Sequence, residues 1–315
     1  MEPSHGGYYD IPVIHGPHWK WLVIGYFYFG GISGASAVIA AFSRLYGGAS
    51  GTALARIATY VSFLTLLPCP VLLILDLGRP ARFFHMLRRF RVTSPMSVGT
   101  WGLTMFGAIS TLATGLQLAN DRSSRKGDRP GNLPPAVSYG LSLLGGLSGF
   151  FVAGYTGVLL AATAVPLWSK RPALLGPLFL SSAMTSGAAA IIAIASATER
   201  AESDAHDRLR ALETISTITE EALLLTWIVA LGSTAKPIVE GRLGGVVRHG
   251  AAGAGMTLPL IGAALTPHLP RRLRRPVTIA SAALTLAGVF AVRSAIVIGG
   301  RLSADDPGAT FDMTG

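Results

Sequence analysis

Apolar positions along this chain fall into long, almost uninterrupted runs separated by short polar segments. They do not alternate with the period of two that marks a half-buried strand, and they are not confined to one stripe of a soluble amphipathic helix. The runs cover residues 21–45, 54–75, 97–118, 136–165, 174–198, 214–235, 250–266 and 277–300. Each approaches the roughly 20 residues that a helix needs to cross a bilayer. The pattern therefore predicts an all-α membrane protein with about eight transmembrane helices, in two four-helix units, 1–168 and 169–315. The fourth run ends at Pro166, with Trp168 reading as an interface anchor. The seventh is short, glycine-rich and carries Pro259. An even number of crossings returns both termini to one side, the N-side, leaving the other as the far side.

Composition sharpens this reading. Half of the residues are hydrophobic, only 13% are charged and the mean hydropathy is +0.50, whereas soluble domains carry roughly a quarter charged residues. The net charge of +10 raises nucleic acid as a partner. The basic blocks argue against it, because Arg88-Arg89-Phe90-Arg91 and Arg271-Arg272-Leu273-Arg274-Arg275 cap apolar runs, where lipid headgroups supply the counter-charge. Lys and Arg outside the runs divide almost evenly between the two sides, so charge bias does not orient the chain. A single cysteine, Cys69, excludes disulfides and cysteine-ligated metal within the chain. No cleavable leader precedes the first run, which reads as its own uncleaved signal.

Two pentapeptides, Gly30-Gly31-Ile32-Ser33-Gly34 and Gly145-Gly146-Leu147-Ser148-Gly149, share a pattern with G-x-x-x-G spacing. Close helix packing is the favoured reading, with an internal repeat as the alternative. Reading depth at 1.5 Å per residue puts His15, His18, Asp76, Arg79 and His85 at the N-side, with Tyr155 roughly 15 Å deep. Each has a bland reading: interfacial histidines, an Asp76–Arg79 pair capping the second span, a packing tyrosine. Glu220 and Glu221 fall inside the sixth run, roughly 10 Å from the far side, and Arg293 roughly 10 Å from the N-side. A carboxylate within a span is costly unless protonated, paired or hydrated, so a proton-transfer role is the expectation for Glu220 and Glu221. The seven histidines lie in loops or at span ends, where they cannot ligate a haem between spans. No haem, iron–sulfur cluster or metal site is expected, and electrons passing here would need a diffusible quinone.

Several blocks resemble one family. Pro17-His18-Trp19-Lys20-Trp21 and Tyr26-Phe27-Tyr28-Phe29-Gly30-Gly31 are similar to the opening of NrfD/PsrC proteins, the polysulphide reductase membrane subunits. Asp76-Leu77-Gly78-Arg79-Pro80 followed by Ser94-Pro95-Met96-Ser97-Val98-Gly99-Thr100-Trp101 resembles that family's most recognisable loop. Tyr155-Thr156-Gly157-Val158-Leu159-Leu160 and Leu174-Leu175-Gly176-Pro177-Leu178-Phe179-Leu180 complete the set, in order, from about 17 to 190. The resemblance implies a subunit of a respiratory oxidoreductase in the bacterial cytoplasmic membrane, with no stand-alone activity. It implies docking of a ferredoxin-like iron–sulfur subunit, wired in turn to a molybdopterin-type catalytic subunit. It also implies a site for menaquinone or ubiquinone in the first unit, with contacts from His18 (or His15) and Tyr155. Asp76 and His85 are then candidate proton relays, and Arg79, Arg88, Arg89 and Arg91 candidate docking residues. A secondary transporter using Glu220-Glu221 and a purely structural anchor are the competing readings.

Overall fold

The computed structural model describes residues 19–77, 87–88, 90–126, 135–198 and 204–305, and among these no strand occurs. The long apolar runs form helices because only a helix satisfies every backbone polar group within its own segment. Helix α1 spans Trp21–Tyr46. The second crossing is α2, Gly48–Leu66, and α3, Pro68–Asp76, divided where Pro68 and Pro70 lack the N–H that would continue the ladder. Helix α4 is Pro95–Lys126, α5 Pro135–Ala161, α6 the short Pro166–Ser169, α7 Pro172–Ala197 and α8 Asp204–Leu231. After two short pieces, α9 (Lys236–Val239) and α10 (Gly241–Gly245), comes a π-helix at Val246–Thr257 that continues into α11, Leu258–Leu265. The last crossing is α12, Arg271–Ala304.

Among the described residues, seven helical segments are long and apolar enough to cross a membrane, α2 with α3 counting as one and α8 extending through α9. The seventh apolar run is the exception, since it divides between the π-helix and α11. The reading from hydropathy also set the sixth span too late. Helix α8 begins at Asp204, ahead of the run, because its polar first turns bury Ala205, His206 and Leu209 on one face.

Helices α1 and α7 are the most enclosed, and their small residues explain why. A Cβ on Gly149 would lie 2.6 Å from the Gly34 carbonyl oxygen, and one on Gly187 would lie 2.7 Å from the Ala35 methyl. The two G-x-x-x-G pentapeptides therefore pack on each other, α1 against α5, as the packing reading expects. Ser33 adds a tie to the second crossing, its hydroxyl donating to the Ser62 carbonyl at 2.7 Å. Trp168 departs from its expected role. It is fully buried, stacks on Trp19 at 5.3 Å and donates its indole N–H to the Ile296 carbonyl at 2.9 Å. Protein, not lipid headgroup, covers it.

Candidate functional site

Four crossings converge at the N-side. The start of α1, the end of α3, the start of α4 and the end of α5 line a cleft of about 70 Å³, room for a few water molecules. Trp19, Tyr26 and Phe27 supply aromatic wall, Asp76 and Thr100 polar edge, and Tyr155 the side facing α4. The Tyr155 ring stacks on Phe151 at 4.7 Å, and its hydroxyl donates to the Pro95 carbonyl. Gly99 makes this possible: a Cβ there would sit 2.6 Å from the Tyr155 ring, and one on Gly102 would collide with Phe151. The glycine of the Ser97-Val98-Gly99-Thr100 block thus seats the tyrosine in the cleft that a half-buried carboxylate, Asp76, also lines.

With its proton committed to the Pro95 carbonyl, the Tyr155 oxygen presents lone pairs to the cleft. It can accept a hydrogen bond from a hydroxyl, and by rotating its O–H away from Pro95 it can donate one to a carbonyl. An ionised Asp76 can only accept, and a protonated one can donate. The pair therefore suits a planar ligand that interconverts carbonyl and hydroxyl groups.

Of the other expected site residues, His15, His18, Arg79, His85 and Arg89 lie outside the described residues. Arg88 and Arg91 are exposed, in the segment that precedes α4. Glu220 is fully buried while Glu221 is half-buried, as two residues about 100° apart on a helix must face different neighbours.

The expected depth of Glu220 is corrected by the structure. Glu220 and Arg293 lie equally far, about 17 Å, from the N-side ends of α8 and α12. Arg293 lies within electrostatic reach of Glu220, although no ion pair within 4 Å joins them. Arg293 also donates to the Phe27 carbonyl at 2.8 Å and to the Phe179 carbonyl at 3.2 Å, with its guanidinium 4.9 Å over the Phe179 ring. Since Phe27 lines the cleft, this cluster backs onto it instead of lying at the opposite face.

Reasoning from sequence missed two further groups facing the protein interior, the buried His206 and the half-buried Glu213. The seven-residue spacing of His206, Glu213 and Glu220, which places them on one helical face, was the available signal. Among the described residues no group of three His, Cys, Asp or Glu side chains is placed to hold a metal. A cavity of about 360 Å³ lies at the far side among Val38, Phe42, Leu54 and Leu212, and its lining is almost wholly apolar.

The sequence model of the family described as polysulphide reductase, NrfD, matches residues 14–304. The chain belongs to the NrfD family. It is also similar to Protein NrfD of Escherichia coli (strain K12), at 27% identity over 311 residues, 90% of this chain and 95% of that protein. Membership covers the later crossings as well as the N-side blocks, so α8 and α12 fall within the family match. An NrfD-family chain of this kind is a multi-pass membrane subunit of a quinone-linked oxidoreductase.

Proposed function

We propose that this NrfD-family chain binds quinone or quinol in the N-side cleft and exchanges electrons with a ferredoxin-like iron–sulfur subunit docked over it, itself joined to a molybdopterin-type catalytic subunit. The unit 1–168 carries the site, and 169–315 buttresses it. The observation that carries the reading is the convergence of Asp76, Thr100 and Tyr155 on an aromatic-walled cleft at one membrane face. A quinone, when bound, supplies the two-electron, two-proton couple, either menaquinone or ubiquinone serving. The chain's residues orient and protonate it. Tyr155, with His18 or His15, holds the oxygens, and Asp76 and His85 move protons. Glu220 and Glu221 are the protonatable groups of the later crossings. The bilayer gives an isoprenoid tail its route to the cleft.

Tyr155→Phe tests the site. The Phe151 stack and the fit against Gly99 are retained, and only the hydroxyl is lost. Quinone-linked turnover of the assembled complex should fall about tenfold, the equivalent of one hydrogen bond of about 1.4 kcal/mol, with assembly unchanged. Wild-type turnover would move the site elsewhere.

The docking face has its own test. Arg88 and Arg91 are exposed in the segment that precedes α4, whose start lines the cleft, where a basic surface suits an acidic electron-transfer partner. Reversing Arg88, Arg89 and Arg91 to Glu should release the iron–sulfur subunit on gel filtration while the membrane chain stays folded. A complex that survives intact docks through another surface.

A further inference from the structure

The far-side cavity plays no part in the quinone reading. Helices α1 and α8 both pack on α7 while making little direct backbone contact with each other. The gap between them, closed on one side by the start of α2, is this cavity of about 360 Å³. Small residues hold it open: Gly47 and Gly51 supply no side chain where α1 passes into α2, and Ala205 supplies only a methyl on α8. Val38 and Leu212 lie at its inner end, and Gly47 and Arg208 at its outer end, so the slot runs along the membrane normal. The helical rise from Val38 to Gly47 is about 14 Å. One leaflet's share of a hydrocarbon core is about 15 Å, so the slot has the depth of a single acyl chain.

Its chemistry excludes water as the filling. A buried water needs two to four polar partners, and among the lining residues only Ser43, Tyr46 and Arg208 carry polar side-chain atoms. The mouth lies at the membrane surface, where Phe42 and Tyr46, both exposed, stack at 5.9 Å as an interfacial aromatic pair. Charge follows in a set order. Arg208 lines the mouth. Asp204 lies one turn nearer the start of α8 on the same face, about 6 Å farther from the membrane interior. Both are exposed, and among the described residues neither makes a hydrogen bond or an ion pair. Asp207 lies about 100° around the helix from Arg208, outside this column. A glycerophospholipid presents the same sequence from the membrane outward: acyl chain, phosphate, then the amine of its head group.

We propose that this slot binds a far-leaflet phosphatidylethanolamine, with one acyl chain between α1 and α8, its phosphate on Arg208 and its ammonium on Asp204. The guanidinium fork matches phosphate oxygens, and the apolar walls take the chain. The lipid joins two helices that the protein itself leaves apart at this end. A polyprenyl quinone would leave Arg208 without an anion and Asp204 without a cation. The site stands whether or not the N-side cleft binds quinone.

Native mass spectrometry of the delipidated full chain, released from detergent after addition of synthetic lipids with identical acyl chains, tests the site. The wild type should retain one phosphatidylethanolamine, held about tenfold more tightly than phosphatidylglycerol. Arg208→Gln, at an exposed position that leaves the packing intact, should weaken both lipids about tenfold. Asp204→Asn should erase the preference for phosphatidylethanolamine while binding persists. Leu212→Trp, which fills the inner end of the slot, should abolish retention. A folded Leu212→Trp protein that retains the lipid as wild type does overturns the slot. Undiminished binding by Arg208→Gln overturns it independently, even where the tryptophan variant does not fold. Equal affinity of the wild type for the two lipids overturns the head-group assignment. A polyprenyl quinone retained in place of phospholipid would also overturn the proposal, by making the slot a second quinone site.

Discussion

Replacing Arg293 with Leu should destabilise the folded chain by about 3–5 kcal/mol, because it strips two buried carbonyls of their donors and a buried carboxylate of its nearby counter-charge. Leucine fills part of the volume but leaves the Phe27 and Phe179 carbonyls without the donors they have at 2.8 and 3.2 Å. Glu220, fully buried, loses the arginine near it and must be protonated to remain where it is. Lys in place of Arg restores the charge but not the fork that reaches two helices at once, so it should recover part of the loss. Adding Glu220→Leu to Arg293→Leu should recover more, since the orphaned carboxylate disappears with its partner. The chain carries its own reporter. Cys69 is buried and unpaired, so a thiol-reactive fluorogenic dye followed during a thermal ramp in detergent registers unfolding directly. An Arg293→Leu protein melting at the wild-type temperature would show that the arginine contributes nothing to helix association.

Gly34→Val should be comparably damaging for a different reason. A Cβ at this position would sit on the Gly149 carbonyl oxygen and 3.0 Å from the Ala153 nitrogen. Backbone atoms cannot rotate aside, so α1 and α5 must separate along the contact. Overpacking typically costs about 1–3 kcal/mol, and displacement of backbone places this case at the upper end or beyond. Gly107→Ala on α4 is the control, because nothing lies within 4 Å of the added carbon. In the same dye assay the first variant should unfold well below wild type and the control should not. Equal melting of Gly34→Val and wild type would mean that the α1–α5 contact is not closely packed.

The helices and much of their packing were legible in the sequence because bilayer-length apolar runs admit one backbone solution. The paired glycine pentapeptides were legible too, and the contact of Gly34 with Gly149 explains their similarity by mutual fit. Asp76 and Tyr155 reached the same cleft as depth counting expects, since both sit near the well-marked ends of their crossings. Glu220 was misplaced because hydropathy dates the start of a span from its first apolar residues. Helix α8 instead begins within charged sequence, whose buried face shows only in the spacing of Ala205, His206, Leu209 and Ser216. The partner of Arg293 was illegible for a related reason: a contact between separate helices at equal depth requires both helix ends to be known. Trp168 was misread because tryptophan at a span end suits headgroups and protein equally well, and Trp19 decides the matter by stacking on it.

The 12-residue π-helix at Val246–Thr257 bears on how the protein sits in its membrane. A wider coil advances less per residue than an α-helix, so this segment and the 8 residues of α11 reach less than the roughly 30 Å of a typical hydrocarbon core. Neighbouring α12 is long enough to cross with residues to spare. The two meet where Gly255 touches Gly288, so one edge of the protein presents mismatched hydrophobic heights side by side. Lipid must thin around that edge, or its polar flanks must reach toward the interface. Acyl-chain length then becomes a variable of this protein's stability, with shorter-chain bilayers relieving the mismatch and thicker ones pulling the Gly255–Gly288 contact apart.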